Sequence, residues 1–495
     1  MATQPLKPHN QPLALAERYD QAGDKERAAR FYRMAGEQAV ATYAYNDALY
    51  HFNSALERTP DANISVRYRL LLAREEIYAV IGEPADRCRN LVSLTALSDA
   101  LDDDQKRAEA ASRLALYKLD NGEHQDAISI ARLTVRIAQI ANIPQAEAAL
   151  RLVWGRALIR LANYDQASQQ FQNVLSLARE AHLVSAEADG LRYLGVVEEE
   201  NGRFDEAKSL YKQALAIYQM QNDRHGTSDM LNNLGKIAFD QGEYTAALRY
   251  WDRAQPEYAA IGAQAGNCRV MINQCALCLD MGDYAQAKKY GEDALILSRE
   301  IGLRFGESLS LINQALAHHH LGEDEAALVY GKEALVLAIK MESRRLEGYA
   351  HTTLGRILTG MDQLNEATIH YWESLAIWHE LEQQNLMVES QAGLAEVGLK
   401  SGQMGQVQTA VSAILEQLQK EPTLDGAESI FSIYLTAYRV LAAAKDTRAD
   451  NLLQTAYEML QARAAAIVDE AARTSYLTNV AAHKQIVTLA GRLPQ

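Results

Sequence analysis

A 40-residue period runs through most of the chain and leaves few folds open to it. Turn markers stand at Gly82, Gly122, Ala162, Gly202, Gly242, Gly282, Gly322, Asp362 and Gly402. Most are glycine, and Asp also tolerates the left-handed backbone that ends a helix. Seven residues before each turn from Gly122 onward lies a second series, Ala115, Gly155, Gly195, Gly235, Cys275, Ala315, Gly355 and Ala395, all small. Five residues after the turn comes a third: Ala127, Ala167, Ala207, Ala247, Ala287, Ala327 and Ala367. Small residues at mid-helix let two backbones approach closely, where a large side chain would hold them apart. Two residues past the turn, Tyr164, Phe204, Tyr244 and Tyr284 are expected to wedge between neighbouring units.

Inside each unit the apolar residues keep helical phase. Leu234, Ile237 and Ala238 recur at i, i+3, i+4, and Ala247, Leu248 and Trp251 do so after the turn. Two such helices form an αα-hairpin, which cannot bury its own apolar stripe. The units must therefore stack. The predicted fold class is all-α, a right-handed superhelical solenoid of stacked αα-hairpins. At 495 residues the chain is too long for one compact core, and only 9 prolines interrupt it.

These features resemble the tetratricopeptide repeat family. Its pattern is met by a small residue followed by Ala twelve residues later, as in Gly195 with Ala207 and Gly235 with Ala247. Next come an aromatic at Phe171, Tyr211, Trp251 and Tyr371, then a small residue at Ala214, Ala254, Ala294, Ala334 and Ser374. The family's usual unit is about 34 residues, closed by Pro. Here the unit is longer and the Pro mostly absent, as in kinesin light chains and some bacterial regulators, which predicts longer second helices. Residues 14–60 and 456–491 are similar to the start and end of the repeat arm of large bacterial signal-transduction ATPases. The resemblance implies a free-standing relative, or a fragment, of that sensor arm.

The organisation read from the sequence has four parts. Residues 1–12, with three prolines, are a flexible lead, and residues 13–60 form N-terminal helical hairpins off the strict period. The regular array occupies 61–422. Residues 423–495 form a C-terminal capping repeat and helices, set off by a short insertion near Thr423 to Gly426 that moves the next turn to about Ala444.

A net charge of −15 argues against a general nucleic-acid binder, which needs a basic face to displace counterions. No stretch approaches 18 consecutive apolar residues, and the first residues lack the apolar core of a secretory signal. Four cysteines in such a chain fit a reducing cytoplasm. The expected location is therefore cytoplasmic.

No motif for chemistry emerges. GxxxxGK[ST], HExxH and GxSxG are absent, so no enzyme activity and no cofactor are expected. Cys275 and Cys278 form a lone CxxC without a second pair, and Cys275 falls on the small-residue series, so packing is expected. His318, His319 and His320 point about 100° apart from one helix and cannot chelate one ion together. They are read as a solvated helix end. Asp102, Asp103 and Asp104 are read as a helix-start cluster.

One constellation has a functional reading. A stripe at i, i+4, i+7, i+11 of each first helix carries Asp189, Tyr193, Val196 and Glu200, then Asp229, Asn233, Lys236 and Asp240. The following units supply Arg269, Asn273 and Asp280, then Asn313 and His320, then Tyr349, Thr353 and Arg356. Asn is a poor helix former, so its return at 233, 273 and 313 calls for a reason. Its amide offers both donor and acceptor to an extended backbone. The three resemble the asparagine ladder of kinesin light chain and of O-linked N-acetylglucosamine transferase, which implies a concave groove clamping a peptide main chain. The alternative is that each Asn bonds a neighbouring helix and only fixes stacking. Arg156, Arg160, Arg192, Lys236, Arg269 and Arg356, on or near this face, would attract acidic groups, with Tyr193 and Tyr349 as flanking aromatics.

The function expected is a protein- or peptide-binding scaffold or sensor arm of a bacterial regulatory system. Its partner is a protein or extended peptide, with no direct nucleic-acid contact and no membrane. Two alternatives stand beside it. One is a regulator gated by a signal peptide; the other is a repeat arm whose partner is an ATPase module.

Overall fold

A computed structural model describes residues 11–42, 44–81, 84–424 and 426–492. Among them there are helices and turns and no strand. Gly82 and residues 1–10 of the expected lead lie outside the described residues. The chain divides into two compact units at Asn201 and Gly202.

In the first unit, residues 13–60 fall within three helices: α1 (Gln11–Gln21), α2 (Lys25–Ala41) and α3 (Tyr45–Arg58). Then come α4 (Ile64–Ile81) and α5 (Pro84–Ala100). From there the spacing is strict, with α6 to α10 at Asp104–Asp120, His124–Ile140, Pro144–Arg160, Tyr164–Glu180 and Val184–Glu200.

The second unit continues the rule. Helices α11 to α15 are Phe204–Met220, Arg224–Asp240, Tyr244–Ala260, Gln264–Asp280 and Tyr284–Glu300. Helices α16 to α20 are Arg304–His320, Asp324–Lys340, Arg344–Gly360, Leu364–Glu380 and Gln384–Ser401. After α21 (Met404–Lys420) come four helices off the rule: α22 (Ile430–Ala443), α23 (Arg448–Ala465), α24 (Glu470–Thr478) and α25 (Ala481–Ala490). The insertion contains two left-handed residues, Leu424 and Gly426, and the turn expected near Ala444 is made by left-handed Lys445.

Backbone geometry repeats every 20 residues, half the period of the sequence. The markers Gly122, Ala162, Gly202, Gly242, Gly282, Gly322, Asp362 and Gly402 all have positive φ. So do Asp102, Asn142, His182, Asn222, Gly262, Gly302, Glu342 and Glu382, which end the alternate helices. Each linker is one helix-closing motif. At the end of α14, Gly282 N–H donates to Leu279 O (3.1 Å) and Asp283 N–H to Cys278 O (2.9 Å). These bonds satisfy two carbonyls that the helix leaves open. Asp283 then caps α15, its carboxylate accepting from Gln286 N–H at 3.2 Å. A linker this short forces adjacent helices antiparallel.

The core follows the small-and-aromatic pattern of the sequence. Ala127, Ala167, Ala207, Ala247, Ala287, Ala327 and Ala367 are buried, as are Phe171, Tyr211, Trp251 and Tyr371 and the small residues Ala214, Ala254, Ala294, Ala334 and Ser374. At Gly155, Gly235 and Gly355 the small first-helix position makes room for a ring rather than for a second backbone, whereas Cys275 faces Gly291, whose built Cβ would stand 3.2 Å from its Sγ. A Cβ on Gly155 would stand 2.5 Å from the Phe171 ring, on Gly235 2.4 Å from Trp251, and on Gly355 2.8 Å from Tyr371. Leu248 departs from the expected stripe and is exposed. The buried line of α13 runs through Ala247, Trp251, Ala254 and Tyr258, and Leu248 lies about 100° away from it. The aromatics after the turn do reach the next unit. Tyr164 OH bonds Glu200 (3.2 Å), Tyr244 OH bonds Asp280 (3.3 Å), and Tyr284 stacks on His320 at 4.5 Å.

First helices also touch each other directly, α6 with α8 and α8 with α10 in the first unit, and α12, α14, α16, α18 and α20 in series in the second. Second helices are splayed apart, so within each unit the first helices line the inner face.

The left-handed non-glycine residues carry a cost of about 1–2 kcal/mol each. Glycine relieves it but loses about 0.5–1 kcal/mol of unfolded-chain entropy on folding. Glu342→Gly and Glu382→Gly should each stabilise the protein by about 0.5–1 kcal/mol, raising the thermal midpoint. Gly235→Ala should lower it by about 1–3 kcal/mol, since the added methyl overpacks against Trp251.

Candidate binding face

On the inner face of the second unit the three asparagines are half-buried, and each is bonded to a neighbouring residue other than the other two. Asn273 Nδ2 donates to Asn232 Oδ1 at 3.1 Å, and Asn313 Nδ2 donates to Ile272 O at 3.2 Å. Asn233 Oδ1 lies 3.5 Å from Asn232 Nδ2. The bonds from Asn273 and Asn313 span 41 residues, one unit back along the stack. An asparagine amide has two N–H groups and a carbonyl, so one bond per amide orients it without using it up.

The cations expected to attract acidic groups are already matched. Arg269 Nη2 donates to Asp229 Oδ1 at 3.0 Å, and Tyr258 OH donates to the same oxygen at 2.6 Å. Asp229 is buried, so this pair fixes Arg269 against α12. Lys236 faces Asp240 at 3.6 Å. Arg356 Nη2 donates to Glu389 Oε1 at 2.5 Å and lies 3.8 Å from Glu428. The second-unit inner face is therefore a mixed-charge surface rather than a basic strip. Tyr349 is half-buried with its ring edge-on to Trp378 at 4.9 Å, whereas Thr353 is buried and serves packing.

Tyr193, Arg156 and Arg192 belong to the first unit. The Tyr193 ring stacks on Phe171 at 5.5 Å, with Arg156 and Arg192 over it at 5.5 and 5.2 Å. Arg156 also lies 3.9 Å from Asp120.

Sequence spacing missed two acidic partners of Arg356. Glu389 occupies the stripe position 40 residues after Tyr349, so extending the stripe by one unit would have found it. Glu428 comes from the insertion, where no period applies, and its N–H donates to Glu389 Oε2 at 3.3 Å.

A family model described as tetratricopeptide repeat matches residues 145–220 and 185–256. The matched units are tetratricopeptide repeats. No curated protein matches the chain. Several solved structures are similar. The apo form of RapI is 14% identical, with a TM-score of 0.47, covering 56% of this chain and 98% of that one. The apo form of the quorum sensor NprR from B. thuringiensis is 14% identical (TM-score 0.48; 69% and 99% covered). A signal transduction ATPase with a tetratricopeptide repeat sensor from Pyrococcus horikoshii is 13% identical (TM-score 0.47; 91% and 72% covered).

Other sequence candidates resolve into packing and capping of the helices. Cys275 is buried, its Sγ donating to Ala287 O at 3.0 Å, and burial pushes its thiol pKa up. Asp103 caps α6 through Lys106 N–H, and Arg107 binds Asp102 and Asp104 at 2.7 and 2.6 Å. The histidine run departs from the solvated helix end expected from sequence. His318 is buried against Tyr330 at 5.0 Å because residue 318 falls on the packing side of α16, and only His320 is exposed. Among the described residues no group of three or more His, Cys, Asp or Glu is placed to hold a metal, and no helix is long and apolar enough to cross a membrane.

The C-terminal cap holds a buried histidine of consequence. His483 lies among Tyr476, Phe431 and Arg463, its Nδ1 2.7 Å from Tyr476 O. Burial lowers its pKa to about 4 from the usual 6.5. With the folded value below the unfolded one, its contribution to stability is full above pH 6.5 and is lost as pH falls towards 4. Acidification through that window should lower the hydrogen-exchange protection factors of α24 and α25, measured against the intrinsic rate at each pH, and His483→Gln should flatten the dependence.

Proposed function

We propose that the chain is a protein- or peptide-binding repeat scaffold, the sensing arm of a regulatory system. Its inner face in the second unit takes an extended segment. The observation that carries this reading is the Asn column, half-buried amides one repeat apart on first helices whose neighbouring positions are core. The bonds of Asn273 and Asn313 to the preceding unit pre-orient those amides, which lowers the ordering cost when a peptide backbone arrives. The paired charges beside them favour a segment carrying both signs. RapI and NprR, whose folds are similar, are reported in apo form, and a Rap protein is reported in complex with competence and sporulation factor.

A native-lysate pull-down followed by titration with the captured segment tests the groove. Replacing Asn233, Asn273 and Asn313 together by Ala removes up to three hydrogen bonds of about 1 kcal/mol each, so affinity should fall by at least about tenfold. Unchanged affinity in a folded triple variant rejects the ladder.

A second reading, docking of a partner domain such as an ATPase module on the outer face, is favoured by one observation. Val329, Val336 and Ile339 on α17 and Ile369 and Trp372 on α19 are each more than half exposed. Exposed apolar side chains repeated on two second helices favour a contact surface there. Trp372→Arg should then abolish capture of a folded partner while leaving peptide binding intact.

A further inference from the structure

The C-terminal cap of the second unit reaches back to two turns some 200 residues earlier. Thr245 Oγ1 donates to Ala466 O at 3.1 Å, and Asn479 Nδ2 donates to Gly282 O at 3.3 Å. Of the left-handed glycines that close first helices in this unit, Gly322 and Gly402 have nothing within 4 Å of a built Cβ. Gly242 and Gly282 differ. A Cβ on Gly242 would stand 2.7 Å from Arg463 Nε, and one on Gly282 2.9 Å from Asn479 Cβ. The Tyr476 ring meets Tyr244 edge-on at 5.6 Å, and Tyr244 OH is bonded to the stripe carboxylate Asp280. An aromatic and a cation from the cap thus cover a rim formed by Tyr244, Asp280 and the two glycine turns.

The contact is thin. Tyr244 and Tyr476 are buried where they meet and Thr245 is half-buried, but two hydrogen bonds and one ring pair are what join the surfaces, and α24 otherwise borders an open hollow of about 600 Å³. Tyr476 and Phe431 both pack on His483, so the cap keeps ring contacts of its own within α22 to α25 besides the one to Tyr244. α22 is meanwhile anchored by packing on α20. Burial also holds the Asp280 carboxyl well above the ordinary range, with the Arg463 charge opposing that rise.

We propose that the Tyr244–Asp280 rim is a binding site for a segment carrying an aromatic and a cationic side chain. In the resting chain Tyr476 and Arg463 fill it as a reversible clasp. A ligand segment with the same pair of side chains displaces the clasp and gains the inner face. The entry step rests on the peptide-scaffold reading; the clasp itself does not.

Two measurements on the full chain test it. In hydrogen exchange, residues 466–480 and 280–284 should exchange at least tenfold faster in a Thr245→Val/Asn479→Ala variant than in the wild type, with α16 to α19 unchanged. Identical exchange in both proteins overturns the clasp. In the second, a fluorescent peptide of residues 462–480 is titrated into both proteins. It should bind the double variant at least tenfold more tightly than the wild type, whose site is filled in cis. The same peptide with its Arg463 and Tyr476 positions changed to Ala should not bind. Equal binding to both proteins, or by the altered peptide, overturns the site. The Asn233/Asn273/Asn313 variant plays no part in either measurement, so failure of the ladder and failure of the clasp are distinguishable.

Discussion

A ring seated where its neighbour has no side chain is the contact on which the array depends. Trp251 against Gly235, Phe171 against Gly155 and Tyr371 against Gly355 repeat one lock-and-socket arrangement. The ring fixes the distance between the two helices of a hairpin. The buried alanine series, Ala127 to Ala367, keeps the other side of each second helix narrow enough to stack. Linkers with left-handed residues then repeat the crossing. Close packing of this kind makes volume unforgiving, because even one methyl has nowhere to go.

Much of this was legible in the sequence, for a physical reason. A glycine at φ near +74° or an alanine with no exposed surface is demanded by backbone and volume, so it recurs with the period. The 20-residue backbone period was not legible. The alternate turns use Asp102, Asn142, His182, Glu342 and Glu382, which pay for left-handed geometry without announcing it. The candidate binding face was read in part. Its amides were found by position, but the pairing of Arg269 with Asp229 or Arg356 with Glu389 depends on rotamers and on which helices abut, and spacing does not encode those. Glu428, Arg463 and Tyr476 lie beyond the regular units, where no register carries over to indicate their partners.

Polar groups on the inner face of the second unit are organised before any ligand arrives. Asn273 and Asn313 are tethered to the helix before them, and Asp229 is shared by Tyr258 and Arg269. A surface already ordered in this way loses little freedom on binding. Its charges neutralise one another locally, which separates the inner face from the −15 of the whole chain.

Solenoids commonly tolerate gain or loss of whole units, since each contacts only its neighbours. Contact between Asn479 and Gly282 removes that freedom from the second unit. The helices between those residues must number and curve so that the cap lands on the turns at Gly242 and Gly282. One duplicated hairpin would carry the cap past them. The cap thus serves as a gauge of length: inserting a whole unit would cost the second unit this contact.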